Sequence, residues 1–168
     1  MILFPADRPA LAREYWGKNS MLIKLRSSQR EREVRVSVNL RAMLNALAAE
    51  MDYRLNIDIM ITELLRTWAE QDGFYPDKAE LPLDAKTIST HMTGTAGDLI
   101  PIARELEPSP EFIGRCYDAM ESFLNSVFPY TWNNKNRKPP RGKKTAYVHE
   151  HFVRGKSCGK HLHCQLSW

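Results

Sequence analysis

The sequence predicts an α+β fold in which helices pack against a small antiparallel sheet. Its 168 residues, 43% of them hydrophobic and 26% charged, are enough for one domain with a core. Apolar residues recur at helical spacing in two long stretches, whereas apolar and polar residues alternate in others, which indicates strands. Helices combined with a short sheet are typical of the α+β class.

The first helix is predicted over residues 39–51, with Asn39 as its N-cap. Its apolar stripe comprises Leu40, Met43, Leu44 and Leu47. A strand follows, because Ile57, Ile59 and Ile61 alternate with less apolar residues.

The middle of the chain is predicted to hold a second helix, a loop and a strand. The helix runs from about Glu63 to Gln71 and ends at a glycine-containing stretch. Prolines within 74–88 indicate the loop. Residues 96–102 are apolar enough for a buried strand.

A third helix is predicted to begin at Pro110, since proline is favoured in the first turn of a helix. Its buried stripe would comprise Phe112, Ile113, Cys116, Tyr117, Met120, Phe123, Leu124 and Val127. Residues 133–144 form a loop that carries a basic run. Two final strands, 145–153 and 161–168, are joined by a glycine-containing turn over 154–160, which favours a hairpin.

The chain divides into a charge-rich N-terminal extension, residues 1–36, and a domain over 37–168. The net charge of +4 favours polyanionic partners without choosing among nucleic acid, cell wall and membrane. No apolar run approaches the roughly 20 residues that span a bilayer, so no membrane span is expected. The first residues show no secretory signal, which predicts synthesis in the cytoplasm. Three cysteines argue against a disulfide framework.

Two short stretches carry residues that can bind a metal. His91 and Asp98 are separated by a glycine-containing bend, which lets both side chains reach one point. On the last strand His161, His163 and Gln165 share one side, because side chains alternate. A catalytic zinc site uses three protein ligands and leaves one position for water. Taken singly, each histidine has an ordinary structural or exposed interpretation.

The first stretch resembles the zinc D-alanyl-D-alanine carboxypeptidases and L-alanyl-D-glutamate endopeptidases of bacteria and phages. Their signature S-x-H-x-x-G-x-A-x-D is matched at Ser89, His91, Gly94, Ala96 and Asp98. Five such positions match by chance on the order of once per million windows. The order of the remaining motifs agrees across about residues 38–168, and the first 35 residues lie outside the resemblance.

The resemblance implies a zinc site on the sheet, with His91, Asp98 and His163 as ligands. It also implies that Arg66 contacts the substrate or stabilises the oxyanion, and that Ser89 hydrogen-bonds the peptide at the rim. This set is chemically coherent, because zinc activates water and polarises a carbonyl, while an arginine adds positive charge where negative charge develops.

The sequence departs from the family pattern at Lys160, where many members have a carboxylate that acts as general base. His161 is our choice for the assisting residue, since histidine exchanges protons near neutral pH. The alternative is that His161 only supports the site from outside the ligand set. His149, Glu150 and His151 are the other candidates, although strand histidines are commonly exposed.

The leading functional hypothesis is a monomeric zinc peptidase that hydrolyses peptidoglycan stem peptides and reaches the wall after phage-type release. A zinc-binding module without turnover, which recognises a wall peptide or a protein partner, is the alternative suggested by Lys160. A third hypothesis, that the protein binds nucleic acid, depends only on the basic run 135–144 and the net charge. Nucleic acid is therefore not the expected partner.

Overall fold

The computed structural model describes residues 23–25, 36–74, 89–128, 144–153 and 156–166. Its strands are β1 (Ile23–Leu25), β2 (Ile57–Glu63), β3 (Ala96–Ala103), β4 (Ala146–Val153) and β5 (Lys156–Gln165). Its helices are α1 (Val38–Leu55), α2 (Trp68–Phe74) and α3 (Pro110–Val127), with a 3-10 turn at Thr90–Thr93. The α+β prediction is confirmed.

The strands form one sheet in the order β1-β2-β3-β5-β4. The pairings β2–β3, β3–β5 and β5–β4 are antiparallel, as predicted, and only β1 pairs in parallel, with β2. Strand β1 comes from the predicted N-terminal extension, so three residues of that segment belong to the sheet. The predicted hairpin is formed by β4 and β5.

Helices α1 and α3 pack against each other and against the sheet. The buried stripe of α1 is Leu40, Met43, Leu44, Leu47, Ala48 and Met51. Helix α3 contributes Cys116, Tyr117, Met120 and Leu124 to the core, whereas Val127 is 53% exposed and does not continue the predicted stripe. Leu162 and Cys164 meet these helices from β5.

Several predicted boundaries were wrong, and each has a local cause. Helix α1 begins earlier than expected because Ser37, not Asn39, is the N-cap; its hydroxyl accepts from the Leu40 amide. No helix begins at Glu63, which still belongs to β2. Helix α2 begins after Thr67, whose side chain and that of Glu70 cap each other's amides in a capping box.

Strand β5 begins at Lys156, so most of the turn predicted over 154–160 is strand. The register between β4 and β5 shifts between Glu150 and Phe152, and Gly159 lies opposite this shift with φ of 82°. A bulge with glycine at positive φ lets the strand continue where a turn was expected. Most of the loops predicted over 74–88 and 133–144 lie outside the described residues.

The described helices include none long and apolar enough to cross a membrane.

Candidate metal centre

The 3-10 turn that carries His91 is held by its two caps and by backbone bonds to the rest of the domain. Ser89 caps the beginning, where its hydroxyl accepts from the His91 amide at 3.3 Å. Gly94 caps the end with φ of 68° and ψ of 24°, a left-handed conformation that favours glycine. The Gly94 carbonyl accepts from the Ser37 amide at 2.9 Å, which ties the turn to the beginning of α1.

Asp98 and His163 lie on neighbouring strands and directly face each other in the register of β3 and β5. Residues directly opposite in an antiparallel pair project from the same face of the sheet. His163 therefore points with Asp98, while Leu162 and Cys164 point to the helices. The strand alternation used in the sequence prediction is thus the alternation present in the sheet.

The three predicted ligands converge on one point. His91 Nε2 lies 3.2 Å from His163 Nδ1 and 3.2 Å from Asp98 Oδ1, and His163 Nδ1 lies 2.9 Å from Asp98 Oδ1. All three side chains are buried, with at most 7% of each residue exposed. Among the described residues they form the one group of three or more side chains with metal-ligand spacing.

This triangle of atoms has the size and chemistry of a metal site. The atoms are 2.9–3.2 Å apart, close enough for His91, Asp98 and His163 to hold one zinc ion at its usual ligand distance of about 2.0–2.1 Å. Two ring nitrogens and a carboxylate oxygen that meet at this spacing repel one another unless a proton or a cation lies between them. The group could therefore bind a metal ion, and its N, N, O composition suits zinc among others.

The charge of Asp98 depends on its neighbours. Burial alone raises the pKa of the Asp98 carboxyl, because desolvation penalises the charged form. The charge of His91 and the hydrogen bonds with His163 and His91 outweigh burial and hold that pKa well below its usual range. Asp98 is therefore an anion at neutral pH and would supply negative charge to a cation bound there.

His161, which the sequence analysis chose as the assisting residue, lies beside the ligand group. It is buried, and its Nδ1 donates to the Gly159 carbonyl at 2.9 Å, since a carbonyl can only accept. Its Nε2 lies 3.7 Å from Asp98 Oδ2. His161 thus faces the second carboxylate oxygen, whereas the ligand atoms of His91 and His163 face the first.

Aromatic rings extend the site along β4. His149 lies opposite His161 in the register, and their ring centroids are 4.3 Å apart in an edge-to-face arrangement. Tyr147 lies opposite His163, with ring centroids 5.1 Å apart. Strand alternation within 145–153 could have predicted that Tyr147 and His149 lie on the same face of the sheet. Only the register between β4 and β5 shows which residues they contact.

The other candidates for an assisting residue are placed differently. Glu150 is exposed and lies opposite Lys160 in the register, away from the ligand face. The side chain of His151 lies outside the described residues. Lys160 itself extends over the Tyr117 ring on α3, with its ammonium 5.1 Å from the ring centroid. The Tyr117 hydroxyl donates to the Lys160 carbonyl at 2.8 Å.

Arg66 is buried beside the 3-10 turn, and its backbone amide donates to the His91 carbonyl at 3.2 Å. Its guanidinium is held in a bidentate pair by Glu63, at 2.8 and 2.6 Å, and donates to Gln71 at 2.9 Å. Glu63 lies opposite Asp98 in the register of β2 and β3. The ion pair of Glu63 with Arg66 therefore lies next to β3, the strand that carries Asp98. The sequence prediction missed this role of Glu63, because it depends on a bulge in β2.

Comparisons of the chain with protein-family models, with curated proteins and with solved structures found no match. The resemblance drawn from the residues of 89–98 therefore stays a prediction, and the geometry of the described residues carries the functional argument.

Proposed function

We propose that this protein is a zinc-dependent peptidase that hydrolyses peptide bonds in the stem peptides of peptidoglycan. The observation that carries the proposal is the convergence of His91, Asp98 and His163 in one buried group. Two of the three belong to the S-x-H-x-x-G-x-A-x-D stretch that resembles the D,D-carboxypeptidases and L-alanyl-D-glutamate endopeptidases. The sequence spacing that suggested the family is thus also the spacing that brings the side chains of His91 and Asp98 together.

The number of ligands favours catalysis. Structural zinc sites are closed by four protein ligands, whereas catalytic sites use three and keep one position for water or substrate. Within the described ranges the group has three members. His161 lies near it without joining it, which suits a residue that acts on whatever occupies the fourth position.

Bound zinc would supply Lewis acidity, which makes water a better nucleophile near neutral pH and polarises a carbonyl oxygen. His161 would take up the proton of the attacking water at Nε2. Its Nδ1 proton is fixed by the Gly159 carbonyl, so a neutral ring carries its lone pair on Nε2. A proton gained there would face the Asp98 carboxylate at 3.7 Å, which stabilises the charged ring.

Arg66 would bind the peptide or stabilise the negative charge that develops on the carbonyl oxygen. Glu63 and Gln71 hold the guanidinium in one orientation, which lowers the entropic cost of aiming it at a substrate. Glu63 also offsets part of its positive charge. Ser89 caps the His91 turn as an acceptor, and its hydroxyl hydrogen remains the atom with which it would bond a peptide.

The proposed substrate follows from the resemblance. Stem peptides are short and carry free carboxylates, which suits a basic protein with a positively charged residue at its site. We propose cytoplasmic synthesis followed by phage-type release to the wall, and action as a monomer.

The second candidate is a zinc-binding module that recognises a wall peptide or a protein partner without turnover. It was motivated by lysine at position 160, where a carboxylate was expected. In the structure, residue 160 faces α3, on the side of the sheet opposite the ligands. The identity of that side chain therefore says little about catalysis on the other face.

The decisive experiment is mass spectrometry of muropeptides after incubation with the zinc-loaded protein, the metal-free protein and an Asp98→Asn variant. We expect cleavage products only with the zinc-loaded wild type. Asp58→Asn is the matched control, because Asp58 is also a buried aspartate on the sheet but pairs with Arg104 instead of the ligand group.

Equal product formation by the metal-free protein, or by Asp98→Asn, would contradict the peptidase proposal. A wild type that binds zinc and forms no product from any muropeptide would favour the module without turnover.

A further inference from the structure

Gln165 is a buried side chain next to the metal group that the proposed chemistry does not use. Only 2% of the residue is exposed, and it lies two residues after His163 on the same face of β5. A buried amide has two donor hydrogens and an acceptor oxygen, and leaving them unpaired is costly. The hydrogen-bond partners of Gln165 therefore indicate its role.

The partners define which way the amide points. Gln165 Nε2 lies 3.3 Å from the Lys144 carbonyl, which can only accept. The NH2 group must face that carbonyl, because the opposite orientation would place two oxygens against each other. Gln165 Oε1 then faces His163 Nε2, at 3.4 Å.

The oxygen of Gln165 in turn defines the tautomer of His163. An amide oxygen only accepts, so His163 Nε2 carries a hydrogen and donates it. This leaves Nδ1 as the atom whose lone pair would bind a metal ion, and Nδ1 lies 2.9 Å from Asp98 Oδ1 and 3.2 Å from His91 Nε2. The lone pair is therefore directed at the centre of the ligand group.

We propose that Gln165 is a positioning residue that orients the His163 ring and favours a hydrogen on its Nε2, so that Nδ1 is the atom left to bind the metal. The proposal rests on the metal site proposed above. Outer partners of this kind set the tautomer and ring orientation of ligand histidines. Within the described ranges His91 Nδ1 has no hydrogen-bond partner, so His163 is the ligand histidine that is oriented in this way.

A purely structural role makes a different prediction. If Gln165 only joined β5 to the Lys144 backbone, its loss would lower stability and leave the metal affinity of the folded protein unchanged. Two variants separate the roles. Gln165→Met keeps the shape and removes the amide, whereas Gln165→Glu keeps an acceptor for His163 and loses the donor to Lys144.

The first measurement is the zinc affinity of the folded proteins, by competition with a chromophoric chelator. We expect Gln165→Met to bind zinc about 10–100-fold more weakly than the wild type. Gln165→Glu should bind at least as tightly as the wild type. Gln71→Met is the matched control, because the Gln71 amide bonds to Arg66 and not to a ligand. An unchanged affinity in folded Gln165→Met would overturn the proposal.

The second measurement needs no metal and separates this inference from the proposed function. Long-range ¹H–¹⁵N NMR of the metal-free protein, at a pH where histidines are neutral, reports the tautomer of His163. Asp98 accepts from Nδ1 in all three proteins and competes for the hydrogen to the same extent. We therefore expect a larger Nε2–H fraction in the wild type and in Gln165→Glu than in Gln165→Met. If the wild type does not bind zinc, the proposed function fails; a larger Nε2–H fraction in the wild type than in Gln165→Met would still support the role of Gln165, and equal fractions would overturn it.

Discussion

Replacing Gly94 with alanine tests whether the backbone of the 3-10 turn determines the position of His91. Gly94 caps this turn with φ of 68°, and its amide bonds to the carbonyls of His91 and Thr90. An L-residue with a Cβ atom pays about 1–2 kcal/mol to adopt the left-handed conformation. We therefore expect Gly94→Ala to lower the free energy of unfolding by about that amount.

For a chain of this length, each kcal/mol corresponds to about 2–4 °C, so the midpoint of thermal unfolding should fall by about 2–8 °C. The assay is urea and thermal denaturation of the metal-free protein, followed by zinc titration of the folded fraction. Relaxation of the strained cap would move the turn, so zinc affinity should fall as well. Gly94→Asn should lose less stability, because asparagine tolerates the left-handed region better than alanine does.

Gly97→Ala is the matched control on the neighbouring strand. Its backbone is not in the left-handed region. A Cβ atom there would meet Leu64 Cδ2 at 3.4 Å and Cys164 Sγ at 3.6 Å, which are ordinary van der Waals contacts. We expect the change in stability to stay under about 1 kcal/mol. Wild-type stability in Gly94→Ala, or an equal loss in Gly97→Ala, would refute the reasoning.

Two further predictions concern the metal and the arginine. Zinc at about 100 times its dissociation constant should stabilise the protein by about 2.7 kcal/mol, which would raise the midpoint of thermal unfolding. His163→Ala should lose this rise, and His149→Ala should keep it. An equal rise in both variants would argue against the ligand assignment. Glu63→Gln removes a charged partner from Arg66. A bond of this kind contributes about 1.5–3 kcal/mol, so the proposed peptidase activity should fall by about tenfold or more, with zinc affinity unchanged. Parallel loss of zinc affinity would instead place Glu63 in the metal group.

The helices and the antiparallel sheet could be predicted because their signals are local. The periodic leucines and methionines of α1 are spaced so that they share one face, whatever the helix packs against. Boundaries were less predictable, because competing caps lie close together. Ser37 and Asn39 are both good N-caps, and packing around the beginning of the helix selects between them. The capping box at Thr67 and Glu70 was visible in the sequence and would have corrected the start of α2.

The site shows the same division between local and distant signals. His91 and Asp98 are seven residues apart, so a motif can specify both, and alternation along one strand adds His163. The contacts of Glu63 and Tyr147 could not be predicted in this way. They depend on which strands become neighbours and on a bulge that shifts the register by one residue. A shift of one residue moves a side chain to the opposite face, and no local pattern in the sequence specifies it.

The register of β5 also changes how the missing carboxylate is understood. In the sequence, lysine three residues before a zinc histidine suggests a lost catalytic base. In the structure β5 is already a strand at residue 160, and alternation places that residue on the helix side, where Lys160 covers Tyr117. Burial raises the pKa of Tyr117 to about 12, so its hydroxyl stays protonated and keeps donating to the Lys160 carbonyl. A proton acceptor is therefore expected on the ligand face, where His161 lies 3.7 Å from Asp98 and its Nδ1 is bonded to the Gly159 carbonyl.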